Sequence, residues 1–273
     1  MTQAERGHAF KALHDADEMF AIANPWDIGS ARILAGLGYK ALATTSAGFA
    51  VSQGLADYQI TRDMKLKHVR VLAAATDLPL SADLENGFGH DPEICAETIT
   101  LGAEAGLVGG SIEDFTGDAD NPIYELEAAT DRVRAAAEAA NALDFPFMLT
   151  ARAENFLHGR ADLADTIARL QAFQEAGAHV LYAPALQTLD DIKSVLASID
   201  RPLNVLMGPF AGFVPLSELA ALGVRRVSLG SVFGNAAYGA LIVAGRDVLD
   251  NGGLSFLSRA ASSAELQDVM NRT

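Results

Sequence analysis

Four stretches of the chain repeat one pattern of apolar and polar positions: LAGLGYKALATTSAG (34–48), AEAGLVGGSIED (103–114), QEAGAHVLYAP (174–184) and LAALGVRRVSLGS (219–231). In each, a small-residue segment with helical spacing ends at a glycine suited to the left-handed position that closes a helix, and a short apolar run follows. The pattern predicts helix, tight turn and buried strand, four times over. Between these junctions lie four more apolar runs, EMFAIANP (18–25), LPLSADLE (78–85), FPFMLTARAE (145–154) and PLNVLMGP (202–209), each followed by a segment with helical spacing.

Strands that tolerate burial on both faces and alternate with helices belong to a parallel sheet. Eight such units in 273 residues predict an α/β fold of the (β/α)8 TIM-barrel type rather than an open doubly wound sheet. Residues 1–273 are expected to form one barrel domain, with about 236–273 as a C-terminal helical extension. The open-sheet alternative has one feature in its favour, Gly36-Leu-Gly38-Tyr-Lys-Ala41, which fits a dinucleotide fingerprint. That fingerprint must follow a strand and open a helix, whereas here it closes a helix and precedes a strand. Asp118-Ala-Asp120-Asn-Pro starts like a calcium loop but lacks the glycine at its sixth place and has Ala129 where a bidentate glutamate belongs, so a polar loop is expected.

Composition narrows the function. A net charge of −15 without a Lys/Arg cluster argues against nucleic acid and anionic membrane surfaces as partners. No run approaches the length of a membrane span, and MTQAERGHAFKALHDAD is charged where a signal peptide is apolar, so a cytoplasmic location is expected. The single cysteine, Cys95, excludes an internal disulfide and a Cys/His zinc framework; it falls in a predicted helix with Asp91 as N-cap and Pro92 at N1, where a buried structural thiol is expected.

In a barrel the C-terminal strand ends share one rim, where catalytic groups sit. The polar residues there are Asn24 and Asp27; Thr45, Ser46 and Gly48; Asp83 and Glu85; Glu113 and Asp114; Arg152 and Glu154. A lone D-x-E at a strand end is more often a solvated edge or a helix cap than a ligand, and an arginine there can be a structural ion-pair partner. Recurrence of acids at three successive strand ends is not required by solvation. Like charges gathered this closely need a proton or a cation between them, and an oxygen-only set suits a hard ion, Mg²⁺ or Mn²⁺. Gly87 and Gly89 would let the backbone turn tightly beside it, and His90 and His158 are expected as solvated loop histidines.

These residues, in this order, resemble the isocitrate lyase/phosphoenolpyruvate mutase superfamily, through NPWDIGSARILAGLGYKALATTSAGFA, GLADY, SADLENGFG, GGSIED, LTARAENFL and VRRVSLGS. The resemblance implies a barrel with Mg²⁺ at its rim that acts on small 2-oxo or 2-hydroxy carboxylates. It implies Asp83, Glu85 and Glu113 as the metal set, and Arg152 as the grip on the substrate carboxylate. Thr45, Ser46, Ala47 and Gly48 would hold the carboxylate and oxo ends, and Asp57 would lie near the reacting centre; Asp57, Glu113 and Arg152 are thus the implied catalytic groups. A last helix swapped between subunits is implied too, and with it a homodimer or homotetramer. One segment departs: where lyases of the family carry K-[KR]-C-G-H, this chain reads FTGDADNPIYELEAA, with no Cys, His or Lys. The expectation is carbon–carbon cleavage, either decarboxylation of an oxaloacetate-like acid or retro-aldol cleavage of a 2-methylisocitrate-like one, with the missing loop motif favouring the former. A phosphonopyruvate mutase or hydrolase, and a barrel that binds 2-oxo acids without turnover, are the alternatives.

Overall fold

The computed structural model describes residues 1–208 and 214–272. Its elements run α1 (Gln3–Asp15), β1 (Phe20–Ile22), α2 (Ile28–Gly36), β2 (Leu42–Ala43), α3 (Ser46–Ser52), α4 (Arg62–Ala73), β3 (Leu80–Asp83), α5 (Pro92–Glu104), β4 (Gly109–Glu113), α6 (Leu126–Asn141), β5 (Met148–Arg152), α7 (Leu163–Glu175), β6 (Val180–Tyr182), α8 (Leu189–Leu196), β7 (Leu203–Leu206), α9 (Leu216–Ala221), β8 (Arg226–Ser228) and α10 (Val232–Asn251). A short 3-10 helix (Ser255–Arg259) and α11 (Ser263–Met270) follow. Every expected strand is present, although Pro209, the last residue of the seventh apolar run, lies outside the described residues.

The strands form one parallel sheet in the order β1-β8-β7-β6-β5-β4-β3-β2. Its two ends meet through a parallel bridge between Ala23 and Leu42, with the Ala43 amide donating to the Ala23 carbonyl at 2.9 Å. This is a nearly closed (β/α)8 barrel. The junction glycines do what the pattern asked: Gly38, Gly106, Gly177 and Gly223 have φ of 98°, 108°, 104° and 92°. Only glycine takes that backbone without strain, and each lets the chain leave a helix and drop straight into a strand. Between strands and helices lies a continuous core that includes Leu42, Leu84, Ile99, Leu107, Ile112, Leu149, Phe173 and Leu203. Cys95 is fully buried there, on a helix that has Asp91 as N-cap and Pro92 in its first turn.

At the C-terminus α10 behaves unlike the other helices. Phe233 and Gly234 pack near Tyr39 and Trp26, but further along Leu241, Val243 and Leu249 are 68%, 66% and 86% exposed. α11 folds back onto α2, where the Arg32 guanidinium donates to the Met270 carbonyl. No helix among the described residues is long and apolar enough to cross a membrane.

Candidate functional site

The rim is organised around Arg152, the last residue of β5. Its Nη1 meets Asp83 Oδ1 at 3.1 Å, its Nη2 meets Glu113 Oε2 at 3.2 Å, and its Nε donates to Glu154 Oε1 at 2.7 Å. Its charge lies over the Tyr182 ring of β6, 5.1 Å from the centroid. Strand register makes the convergence inevitable: Glu113 is paired with Arg152 across β4 and β5, and Asp83 with Ser111 across β3 and β4. Burial opposes the Arg152 charge, but Glu154, Glu113 and Asp83 outweigh it and hold the guanidinium well above its ordinary range.

Burial also disfavours charge on most of the acids. Burial raises the Glu113 carboxyl well above its ordinary range against the pull of Arg152, and burial then the Asp83 charge push Glu85 up to about 7. For Asp83 burial is outweighed by Arg152, Lys65 and the Ser46 hydroxyl, and its carboxyl is lowered. Ser46 Oγ donates to Asp83 Oδ2 at 2.7 Å. Glu85 stands just beyond the strand with φ of 50°, an uncommon backbone for a non-glycine residue, and its carbonyl accepts from the Glu113 amide at 3.0 Å. The turn that follows is clamped by Arg132 of α6, which donates to the Asn86, Gly89 and His90 carbonyls. Gly87, at φ 80°, packs so closely on α5 that a Cβ would sit 2.8 Å from Cys95 Sγ.

The other implied residues also reach this end of the barrel. Thr45 caps α3, and its hydroxyl accepts from the Gly48 amide at 3.2 Å, which commits that N–H to the cap. Ala47 lies between them in the first turn of α3. Asp57 is on an exposed loop at the rim, but its carboxyl faces the site, and burial then the Asp83 charge raise it. Asp27 caps α2, accepting from the Ser30 amide at 2.7 Å. Asn24 spans the barrel seam, donating to the Ala43 carbonyl at 3.1 Å and accepting from the Leu229 and Gly230 amides at 2.9 Å. Asp114 turns inward to Arg169 at 3.1 Å and to the Glu154 amide at 2.8 Å, a buttress for β5.

Several groups here were not singled out from the sequence. Lys65 of α4 is fully buried with no hydrogen-bond partner for Nζ; burial lowers its ammonium, and Asp83 and Glu85 pull the other way. Above the acids, Phe115 stacks on His158 with centroids 3.9 Å apart, and Tyr58, at φ 61°, tilts onto Phe115 at 4.8 Å. His158 is therefore packed rather than loosely solvated, with Nε2 3.8 Å from Glu154 Oε2, and burial and Arg152 lower its imidazolium. His90 instead contacts the Tyr124 hydroxyl at 2.6 Å. Below Arg152 a small polar chamber of about 70 Å³ is lined by Asn24, Thr45, Asp83, Arg152, Arg226 and Ser228 among others.

Among the described residues no three carboxylate, His or Cys side chains converge as a ready metal-ligand set. Arg152 stands between the carboxylates and serves as their cation. The donor chemistry nonetheless suits a hard ion: Glu85 Oε1 and Glu113 Oε1 are both buried with no hydrogen-bond partner, an expensive state for carboxylate oxygens. The site thus combines open oxygen donors, an arginine and a polar chamber, which can bind and polarise a small acid.

Comparison with known proteins identifies the fold and the family. A crystal structure from Burkholderia cenocepacia J2315, provisionally described as a lyase/mutase, is 53% identical and superposes with a TM-score of 0.95 over 97% of this chain and 95% of that one. Oxaloacetate decarboxylase of Chromohalobacter salexigens is 30% identical over 91% of this chain and 85% of its own, and 2-methylisocitrate lyase of Escherichia coli 31% identical over 82% and 76%. The family model for phosphoenolpyruvate phosphomutase matches residues 10–249, and the chain belongs to that family, within the isocitrate lyase/phosphoenolpyruvate mutase superfamily of carbon–carbon lyases and mutases.

Proposed function

We propose that the chain is a Mg²⁺- or Mn²⁺-dependent carbon–carbon lyase for small 2-oxo or 2-hydroxy di- or tricarboxylates, with decarboxylation of an oxaloacetate-like acid as the leading reaction. The observation that carries this reading is the group of unpartnered, buried carboxylate oxygens, Glu85 Oε1 and Glu113 Oε1 with Glu154 Oε2 nearby, beside an arginine in the rim of a barrel. Asp83, Glu85 and Glu113 are the residues that would hold the divalent cation. Bound there, the ion would supply Lewis acidity to a 2-oxo oxygen.

The side chains supply the rest. Arg152 spends three of its five N–H groups on Asp83, Glu113 and Glu154 and keeps two for a substrate carboxylate. Because those three acids fix its plane, the guanidinium is oriented before the substrate arrives, which favours electrostatic stabilisation of the enolate left by carbon–carbon cleavage. Ser46 orients Asp83 through its hydroxyl. Asp57, on the rim loop near Asp83 and Ser46, would serve as the acid–base group towards the enolate carbon, with water or Ser46 assisting. Tyr58 and His158 pack on Phe115, the first residue of the loop that lacks the lyase motif, and would set ring faces over the substrate. That loop carries no Cys, His or Lys, which disfavours cleavage that needs a strong loop acid.

A turnover screen with Mg²⁺ over oxaloacetate, 2-methylisocitrate, isocitrate and phosphonopyruvate tests the reading. Pyruvate from oxaloacetate supports it. Phosphate with pyruvate from phosphonopyruvate would establish the hydrolase alternative, its isomerisation to phosphoenolpyruvate the mutase alternative, and binding without turnover across all four acids would establish a 2-oxo-acid-binding barrel. Full Mg²⁺-dependent activity in Asp83→Ala would remove the metal assignment.

A further inference from the structure

Arg226 opens β8 and is 5% exposed, yet no carboxylate among the described residues pairs with it. Its partners are neutral. Nε donates to Asn204 Oδ1 at 2.8 Å, Nη2 donates to Thr150 Oγ1 at 3.0 Å, and Nη1 lies 3.2 Å from His14 Nε2. His14 adds no charge, because burial and then Arg226 itself lower it to about 3. Burial alone brings Arg226 down to about 10, which leaves it cationic at neutral pH. A buried guanidinium without a counter-ion is costly, and three neutral hydrogen bonds offset only part of that cost.

Its position makes the charge useful. Thr150 and Arg152 lie two residues apart on β5 and face the same way, so the Arg226 guanidinium reaches a level roughly 7 Å below Arg152. Both arginines line the same chamber of about 70 Å³, room for a carboxylate group or a few waters. Asp83, Glu113 and Glu154 already balance Arg152, whereas no carboxylate among the described residues balances Arg226. Lys65, whose buried Nζ has no hydrogen-bond partner, and Arg132, which is held by carbonyls, do not line the chamber.

We propose that Arg226 is a specificity-determining residue, the unpaired charge beneath the chamber that makes this site prefer dianionic over monoanionic ligands. The inference rests on the proposed 2-oxo-acid site and adds to it a reason why an acidic protein would take an acid with two charges. Beyond Arg152, whose charge Asp83, Glu113 and Glu154 already offset although two of its N–H groups stay open, the floor of the barrel supplies the excess positive field.

The test compares oxalate, a dianion, with pyruvate, a monoanion of similar size, by calorimetry on the full chain in saturating Mg²⁺. Asn204→Asp places a carboxylate against Arg226 Nε and neutralises the arginine without removing it. Arg226→Gln removes the charge, and Arg226→Lys keeps it. Asn204→Asp and Arg226→Gln are expected to weaken oxalate about tenfold or more and pyruvate about threefold or less, with Arg226→Lys retaining most of the selectivity. Asn204→Asp should also melt no lower than the wild type, since it pairs a lone buried charge; a clear drop in its melting temperature would mean that Arg226 is not unpaired, and would overturn the inference even if Arg226→Gln failed to fold. Equal losses for the two ligands, or none, would reduce Arg226 to a structural residue. If the wild type binds neither ligand, the site reading fails and this inference with it; binding with unaltered selectivity in the variants defeats this inference alone.

Discussion

Replacing Arg152 with methionine tests the charge balance of the rim directly. The side chain is 11% exposed and stands against Glu113 and Glu154, whose side chains are 1% and 0% exposed, and against Asp83 at 20%. Methionine fills much of the space but leaves these carboxylates without their cation. Breaking a buried ion pair by removing one partner costs about 3–5 kcal/mol. A chain of this length unfolds with an entropy of about 0.6 kcal/mol/K, so the melting temperature should fall by about 5–9 °C at pH 8. The pH dependence separates this cause from lost packing. Burial already raises Glu113 and Glu154, and without Arg152 both rise further. A carboxyl raised on folding stabilises the protein below its unfolded value, and that stability is lost as pH climbs through its folded value. The deficit of Arg152→Met should therefore be smallest below the ordinary carboxyl value of 4.5 and grow towards pH 8. Thermal melts followed by circular dichroism, at several pH values and without added metal, measure it. Adding Glu154→Gln to Arg152→Met should recover about 1–3 kcal/mol at pH 8. A deficit that is the same at acid and alkaline pH, with no rescue by Glu154→Gln, would refute the reasoning.

Gly177→Ala should lower stability by about 1–2 kcal/mol in urea unfolding, because the site has φ of 104° and the new Cβ would lie 3.0 Å from that of Ala137; an unchanged midpoint would deny the strain. Cys95 is fully buried and burial raises its thiol, so a thiol reagent such as DTNB should leave the native protein unlabelled and react at once in denaturant. The exposed face of α10 is expected to be covered by another copy of the chain. Light scattering at micromolar concentration should then show a dimer or tetramer that Leu249→Asp, at an 86% exposed position, shifts towards monomer; a monomeric wild type would refute this.

The barrel was legible because its strands are apolar on both faces and its junctions need glycine. Gly38, Gly106, Gly177 and Gly223 mark where α2, α5, α7 and α9 end, and their positive φ is a steric requirement that composition cannot hide. The rim acids were legible for a different reason: strand ends in a barrel share one edge, so Asp83, Glu113 and Arg152 had to meet once the strands were placed. Lys65 was not, since MKLKHVR reads as an ordinary amphipathic segment and nothing local says which lysine turns inward; Lys67 is in the same helix. Arg226 was hidden beside Arg225 in the same way, one buried and the other paired with Asp17 at 2.9 Å. Nor does the sequence reveal that Arg152 is surrounded by three acids, because β5 ends at Arg152 and Glu154 lies beyond it, where strand alternation no longer fixes direction.

The return of α11 to α2 has a consequence for synthesis. α2 joins the two strands at the barrel seam, β1 and β2; β2 finds its outer partner in β3, but β1 has its other partner in β8, so the β1 edge of the first unit stays open until residue 228 has been made. Even then α2 lacks its outer cover: Gly36 meets the Val269 carbonyl so closely that no side chain could stand there, and Arg32 reaches Met270. On the ribosome, which delivers the chain from its N-terminus, the earliest β/α unit is thus the last to be finished. A nascent chain stalled before residue 263 should expose α2 to protease, and release of the final helix should close that window.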